Sequence, residues 1–170
     1  MGWVRADGAG TPQRLTQSAD PQFPGSFTPD GRRLMYSEIQ TTGWDLLTIP
    51  IDIGSYGLRA GKPEVLLNSR FNERHGGFSP DGKWIAYFSD ESGPYEVYVR
   101  SFADRGKTWQ ISSGGGWFPT WARGTKQLLF HNTDRRLMAV DYTVTGDRFV
   151  ASKPRFWMDS PVTVDNVGTP

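Results

Sequence analysis

Two histidines, His75 and His131, are the side chains from which acid–base or metal chemistry would be built, because this chain of 170 residues has no cysteine. His75 lies in NERHGG and is predicted to precede an inner strand. His131 is predicted to end an apolar strand and to begin the loop HNTDRR. Catalysis also needs a nucleophile and an orienting group nearby. Each histidine is therefore interpreted either as a polar group at the mouth of a pocket or as an ordinary loop residue.

The familiar motifs of catalysis and metal binding do not occur in the sequence. GGFSPDG does not match Gly-x-Ser-x-Gly, so Ser79 belongs to a turn rather than to a nucleophile elbow. Neither His-x-x-x-His nor an Asp-x-Asp-x-Asp-Gly loop is found, and SDESG is typical of a solvated turn. SSGGGW lacks the helix and lysine of a phosphate cradle. The sequence predicts no catalytic residue, no metal site and no cofactor, and hence no enzyme.

The balance of charge argues against two classes of partner. Lysine and arginine number 19 against 18 aspartate and glutamate residues, so no net positive field attracts nucleic acid or an anionic membrane surface. No apolar run approaches the ~18 residues of a membrane span. The start, MGWVRADGAG, lacks the pattern of a signal peptide. We expect a cytoplasmic protein as the sequence is written, or a periplasmic one if it is part of a longer exported chain.

The elements that must position any site are short strands arranged in a repeat. FSPDGKWIAYFSDESGPYEVYVRSF, residues 78–102, contains a turn, an apolar strand, a polar break and a second strand. Pro80, Asp81 and Gly82 suit a tight turn. The strand KWIAYFS is apolar on both alternations, with Trp84, Ala86 and Phe88 on one face and Ile85 and Tyr87 on the other, so both faces should be covered.

The same pattern occurs in residues 27–51 and, with a less regular turn, in residues 121–142. The copies begin at Phe27, Phe78 and Trp121, and each is followed by a further short strand in EVLLNS, TWQISS or PRFWMDS. The extra length of the first copy is the glycine-rich stretch DIGSYGLRAGKP. Four strands in ~40–45 residues are typical of a propeller blade, so the predicted fold is an all-β propeller with antiparallel blades. Three unrelated hairpins in a sandwich are the alternative.

FSPDGKWIAYFSDESGPYEVYV resembles the WD40-like repeat of TolB-type β-propellers. The same repeat is known from propellers of prolyl-oligopeptidase-type peptidases. GKTWQISSGGGWFPTWARGTKQLLFHNTDRRLMAV is similar to repeats linked to bacterial serine/threonine kinases. The resemblance covers about residues 20–160 and implies a fold rather than a ligand. The third copy departs from it, because Arg123-Gly124-Thr125 stands where the repeat has Pro-Asp-Gly.

The blade count predicts an incomplete ring. Residues 1–18 are interpreted as half a blade, residues 20–69, 70–113 and 114–160 as three blades, and residues 161–170 as a tail or the inner strand of a further blade. Propellers close with ~4–8 blades, so three and a half blades do not make a standard ring. We therefore expect a homodimer in which two chains complete one propeller. The alternative is that the sequence is part of a longer propeller.

The predicted binding face is formed by the connections that surround the central funnel of a propeller. These connections join the fourth strand of one blade to the first strand of the next, and the second strand to the third. The candidate ligand-binding residues are Arg74, His75, Trp117, Phe118, Glu38, Gln40, Asp90, Glu91, His131, Asp134 and Arg135. Trp117 is equally compatible with core packing.

These residues lead to three hypotheses about function. The first is a non-enzymatic TolB-like module that binds a protein, a peptide or a small polar ligand. The second is the sensing or gating propeller of a larger enzyme or receptor kinase. The third is a catalytic ring, which would require the carboxylates and histidines to converge in the funnel.

Overall fold

The protein is all-β in the computed structural model, which describes residues 1–54, 57–103 and 106–157. Within these ranges it forms sixteen strands and no helix, which confirms the predicted fold class. The strands are β1 (Gly2–Trp3), β2 (Gln13–Arg14), β3 (Gln22–Phe27), β4 (Arg33–Gln40), β5 (Gly43–Gly54), β6 (Gly57–Ala60), β7 (Glu64–Leu67), β8 (Glu73–Phe78), β9 (Trp84–Ser89), β10 (Glu96–Ser101), β11 (Thr108–Gln110), β12 (Trp117–Trp121), β13 (Gln127–His131), β14 (Leu137–Thr145), β15 (Arg148–Ala151) and β16 (Arg155–Phe156).

Three antiparallel sheets follow the strand order of propeller blades. The first contains β3, β4, β5 and β7, the second β8, β9, β10 and β11, and the third β12, β13, β14 and β16. A separate pair, β1 and β2, precedes them. These sheets bear out the prediction of four-stranded blades. The part of the chain predicted to supply an inner strand of a further blade, residues 161–170, lies outside the described residues.

Two blades carry a hairpin that the strand pattern did not predict. The glycine-rich stretch of the first blade was expected to be an excursion, but β5 continues to Gly54 and pairs with β6. The third blade has an equivalent hairpin, because β14 runs to Thr145 and pairs with β15. In both cases the backbone continues its ladder beyond the blade, which satisfies hydrogen-bonding groups that a loop would leave to solvent.

Strand β9 has an apolar side chain on each of its faces because it is covered on both sides. Trp84, Ala86 and Phe88 belong to the core cluster that the second blade shares with the third. Ile85 and Tyr87 belong to the cluster shared with the first blade. The two-sided pattern of this strand therefore arises from stacking between neighbouring blades, as the sequence predicted.

The hairpin between the first two strands of each blade closes in the same way, including the one whose sequence departs from the repeat. The backbone N–H of Thr28, Ser79 or Ala122 donates to the carbonyl five residues later, at 2.9, 2.8 and 3.0 Å. Gly31 and Gly82 have positive φ angles, both 70°, whereas in the third blade Gly124 takes this role, with φ at 76°. The less regular turn of the third blade therefore keeps the same closing hydrogen bond, although its residue with positive φ stands one position earlier in the turn.

Candidate functional site

The inner strands β3, β8 and β12 line one groove of about 890 Å³. Its walls are formed by residues 24–29, 75–80 and 118–121, together with Arg123. Among the described residues, no aspartate or glutamate lines this groove. The groove therefore offers backbone groups, rings and basic side chains, and it lacks the paired carboxylates that a catalytic ring would need.

The backbone of each inner strand is bent by a bulge at an equivalent place. The register shifts lie between Pro24 and Phe27, between Arg74 and Gly77, and between Trp117 and Thr120. His75 and Phe118 consequently have φ angles of 51° and 53°, in the left-handed region that residues other than glycine rarely adopt. Such backbone strain is frequent at binding sites, because the surrounding structure must enforce it.

Both bulged residues belong to strands rather than to the preceding connections. The sequence placed His75 on the way into a strand and Trp117 and Phe118 on a funnel loop. The structure places His75 inside β8, and Trp117 and Phe118 inside β12. The bulge explains the difference, because a strand that contains an extra residue loses the regular alternation by which it would be recognised.

A continuous line of rings and one guanidinium lies beside the groove and crosses all three blades. We call it the aromatic arc, and its members are Phe23, Trp44, Arg74, Phe88, His75, Phe118 and His131. Phe23 and Phe118 are 47% and 50% exposed, although both are large apolar side chains, whereas Phe88 is only 1% exposed. The arc therefore has a buried ring at its centre and an exposed phenyl ring on either side, which is the arrangement of a contact surface rather than of a core.

The first half of the arc is built around Arg74. The rings of Phe23 and Trp44 have centroids 5.0 Å apart. The guanidinium carbon of Arg74 lies 4.1 Å from the centroid of the Trp44 ring and 5.7 Å from that of Phe88. Two aromatic faces thus hold this cation in place, and cation–π attraction favours the arrangement.

The second half of the arc is built around Phe118. The His75 ring stacks on Phe88 at 5.5 Å and meets the edge of Phe118 at 4.8 Å. The centroids of Phe118 and His131 lie 6.4 Å apart. Both imidazoles therefore contact the same phenyl ring, as expected if the two histidines lie on one face of the molecule.

The charge of this region comes from Arg74 rather than from His75. Burial against the neighbouring rings lowers the pKa of the His75 imidazole, and the nearby Arg74 cation lowers it further. Since the ordinary value is already below 7, His75 is neutral at neutral pH. It can donate or accept a hydrogen bond there without adding charge.

Trp117 lies beside the arc but is not a member of it. Its side chain is half-buried and packs against the cluster between the second and third blades. Trp117 therefore packs against the core, which is one of the two interpretations of this residue.

Glu38 and Gln40 lie at the end of β4 and form an internal network. Glu38 is buried and accepts hydrogen bonds from the amides of Gln22 and Gln40, the latter at 3.2 Å. Gln22 belongs to β3, so this carboxylate ties the inner strand to its neighbour. Glu38 is therefore already engaged by side chains of its own blade.

Asp90 and Glu91 lie on the turn after β9, at the same end of the second blade. Asp90 accepts from the backbone N–H of Asn72 at 2.8 Å and from its side-chain amide at 2.7 Å. Glu91 is exposed overall, yet partial burial of its carboxyl raises the pKa above its ordinary value, against the opposing effect of Arg100. Asp90 thus fixes the connection into β8, and Glu91 is under the electrostatic influence of Arg100.

Asp134 and Arg135 lie on the exposed turn between β13 and β14. The side-chain oxygen of Asn132 accepts from the backbone N–H of Asp134 at 3.1 Å, and Arg135 has a φ of 58°. In the described part of the chain neither side chain contributes to the arc. Of the predicted candidates, the structure thus brings together Arg74, His75, Phe118 and His131.

Three members of the arc were not among the predicted candidates, namely Phe23, Trp44 and Phe88. Phe88 was assigned to the core, which is correct for its burial but does not reveal that its ring also supports Arg74 and His75. A signal for Phe23 was available, since it lies 51 residues before Arg74, which is the spacing between the first two copies of the repeat.

Comparison with known sequences found one relative and no matching family model. The uncharacterized protein Atu1656 of Agrobacterium fabrum is 27% identical over 127 residues, which cover 74% of this chain and 40% of the relative. The present chain therefore spans less than half of that protein.

Among solved structures, a TolB-type protein of Agrobacterium tumefaciens superimposes with a TM-score of 0.61 and 22% identity over 86% of this chain. The fold is that of a TolB-like β-propeller. The same blades resemble part of a puromycin hydrolase, with a TM-score of 0.56 and 17% identity over 82% of this chain. The present chain spans 54% of the first structure and 26% of the second, so it corresponds to a portion of each.

Over the described ranges, no helix is long and apolar enough to cross a membrane. No group of three or more histidine, aspartate or glutamate side chains in the same ranges is arranged to hold a metal ion.

Proposed function

We propose that this TolB-like propeller is a non-enzymatic binding module that takes a protein, a peptide or a small polar ligand at the aromatic arc. The observation that carries the proposal is the exposure of Phe23 and Phe118 on either side of a guanidinium held between two rings. Aromatic and arginine side chains are the residues that most often anchor interfaces. The strained backbone at His75 and Phe118 supports the same assignment, since packing alone would favour a relaxed strand.

The arc favours binding over catalysis by the ring itself. A catalytic ring would need carboxylates beside the histidines, and Glu38 and Asp90 instead accept hydrogen bonds from Gln22 and Asn72. Phe118 contacts both imidazoles, so a ring occupies the place where the two would act on one substrate atom.

A second candidate function is a sensing or gating propeller within a larger protein. It is favoured by the likeness to a puromycin hydrolase of which this chain spans 26%. In that arrangement the arc would contact a ligand or a neighbouring domain, while another part of the protein would perform the chemistry.

The Phe118→Ala variant should weaken ligand binding at least about fivefold, because interface anchors typically contribute more than 1 kcal/mol. A library of short peptides and simple sugars would first be screened by thermal shift, and the dissociation constants of the hits would be measured by calorimetry. Val150→Ala is the matched control, since Val150 is 44% exposed on β15 and is not a member of the arc. Equal affinities of wild type and Phe118→Ala for every hit would contradict the proposed site.

We further propose that two copies of the chain form one ring. The described blades number three, with one additional strand pair, whereas closed propellers have ~4–8 blades. Since the chain spans 54% of the TolB-type structure, two copies approximate one complete propeller. The face of the third blade opposite to the second blade carries the half-buried apolar residues Leu129 and Leu137. These two residues support the assembly, because a partner chain would cover them.

Light scattering after size exclusion should therefore give a mass of about twice 19.1 kDa. Leu129→Asp should shift the protein to the monomer, because an unpaired carboxylate would enter the interface. Val150→Asp adds the same charge to β15 and should remain dimeric. A well-folded wild-type monomer at micromolar concentration would rule out the dimer and would leave the binding proposal intact.

A further inference from the structure

The position of Arg74 in the repeat shows that its charge is not required for packing. Arg74 lies 51 residues after Phe23 and 43 residues before Trp117, which are the spacings of the three copies. The first and third blades therefore have an aromatic side chain where the second has an arginine. Since the inner strand of a blade can be built with an aromatic residue at this place, the guanidinium needs another explanation.

The guanidinium of Arg74 has no anionic partner among the described residues. None of the ion pairs or side-chain hydrogen bonds found there includes it, and its Nε is shielded from solvent without an acceptor. Two carboxylates of the same end of the blades are engaged elsewhere, Asp90 by Asn72 and Glu38 by Gln22 and Gln40. The Nε–H donor of Arg74 is thus left without an acceptor, which is unfavourable in a half-buried side chain.

The surroundings of Arg74 restrict what can complete this site. The rings of Trp44 and Phe88 hold the guanidinium, so little side-chain entropy is lost when it binds a ligand. Among the described residues the adjoining groove has no acidic side chain to repel an anion. His75 is neutral, so Arg74 supplies the positive charge of the aromatic arc, and one charge matches a monoanion better than a phosphate dianion.

We infer that Arg74 binds the carboxylate of a ligand whose apolar part lies on the exposed rings of the aromatic arc. This inference rests on the proposed binding function and names the chemistry of the ligand, an aromatic or aliphatic carboxylate such as the C-terminal residue of a peptide. The carboxylate accepts hydrogen bonds from the guanidinium, and Phe118 and Phe23 contact the apolar group. No covalent step is involved.

The test compares two probes that differ only in charge, N-acetylphenylalanine and N-acetylphenylalaninamide. Their dissociation constants are measured by NMR titration of the full chain, and the perturbed resonances locate the site. Wild type should bind the carboxylate about tenfold more tightly than the amide, as expected for a hydrogen-bonded charged group. Arg74→Gln should abolish this preference, so that the variant binds the carboxylate and the amide with equal affinity.

Two further variants control for folding and for net charge. Arg74→Phe introduces the residue type of the first blade, so it should remain folded and lose the preference as well. Arg70→Gln removes one charge from an exposed arginine that lies over Phe71, outside the arc, and it should keep the preference.

The possible outcomes separate the inference from the proposed function. If wild type bound the carboxylate and the amide equally well, with NMR chemical-shift changes at the arc, the role of Arg74 would be overturned. The proposal that ligands bind at the arc would stand. Tighter binding of phenyl phosphate than of the carboxylate would also overturn the assignment. Absence of shifts at the arc with either probe, up to their solubility limits, would overturn the inference, and failure of the library screen as well would overturn the proposed function.

Discussion

Gly25→Ala should lower the free energy of unfolding by about 3 kcal/mol, the upper part of the range for overpacking a rigid site. A Cβ atom at this position would lie 2.5 Å from the carbonyl oxygen of Gly76 and 3.1 Å from that of Met35. Both atoms belong to the backbone, so no side chain can rotate away. The first and second blades would have to separate to make room, which would loosen the cluster that they share.

Urea denaturation followed by tryptophan fluorescence measures this effect. Gly77→Ala is the matched control, because its Cβ would meet only the hydroxyl oxygen of Ser26 at 3.8 Å, an ordinary contact. The other two blades have Ser26 and Thr120 at the position of Gly77, so a side chain is compatible with the repeat there. A loss of less than 1 kcal/mol for Gly25→Ala, or an equal loss for both variants, would show that the blades do not approach as closely as described.

The close approach at Gly25 also illustrates what the sequence could predict. The repeat of turn and apolar strand fixed the all-β class and the blade order, because alternation and turn chemistry are local properties. The two-sided strand β9 was predicted correctly for the same reason. By contrast, the distance between Gly25 and Gly76 depends on how two blades stack, and 51 residues separate them in the chain. Local patterns contain no information on that distance.

The candidate site was predicted less completely than the fold. Arg74, His75, Phe118 and His131 were predicted as polar or aromatic residues near the funnel. The first three were placed on connections, but they lie in the bulged inner strands. The rings that hold Arg74 come from β5 and β9, which were interpreted only as blade strands. A residue that serves both the core and a surface has the pattern of the core alone, so its second role becomes visible only in three dimensions.

Phe88 is the residue that joins the core to the arc, and its loss should affect both. Its side chain is 1% exposed, and its ring lies 5.3 Å from Tyr95 and 5.5 Å from Phe118. Phe88→Ala should lower the free energy of unfolding by about 3–5 kcal/mol, because it removes a buried ring and leaves a cavity between the second and third blades. Phe88→Leu fills part of that cavity and should cost less than half as much.

Phe88→Ala should also weaken ligand binding at the arc, because the ring of Phe88 supports the guanidinium of Arg74 and stacks with the ring of His75. Urea denaturation gives the change in stability, and NMR titration with N-acetylphenylalanine, in conditions where each variant is folded, gives the change in affinity. A stability loss below 1 kcal/mol would contradict the burial of Phe88.

Comparison of Phe88→Ala with Phe118→Ala separates stability from binding within one cluster of rings. Phe118 is half exposed, so its removal should cost about 1 kcal/mol or less in stability while the affinity falls as strongly as in Phe88→Ala. If the loss of affinity were proportional to the loss of unfolding free energy in both variants, the arc would be an extension of the core and not a recognition surface. If affinity falls equally while stability differs by several kcal/mol, the two rings have distinct roles, with Phe88 holding the arc in place and Phe118 contacting the ligand.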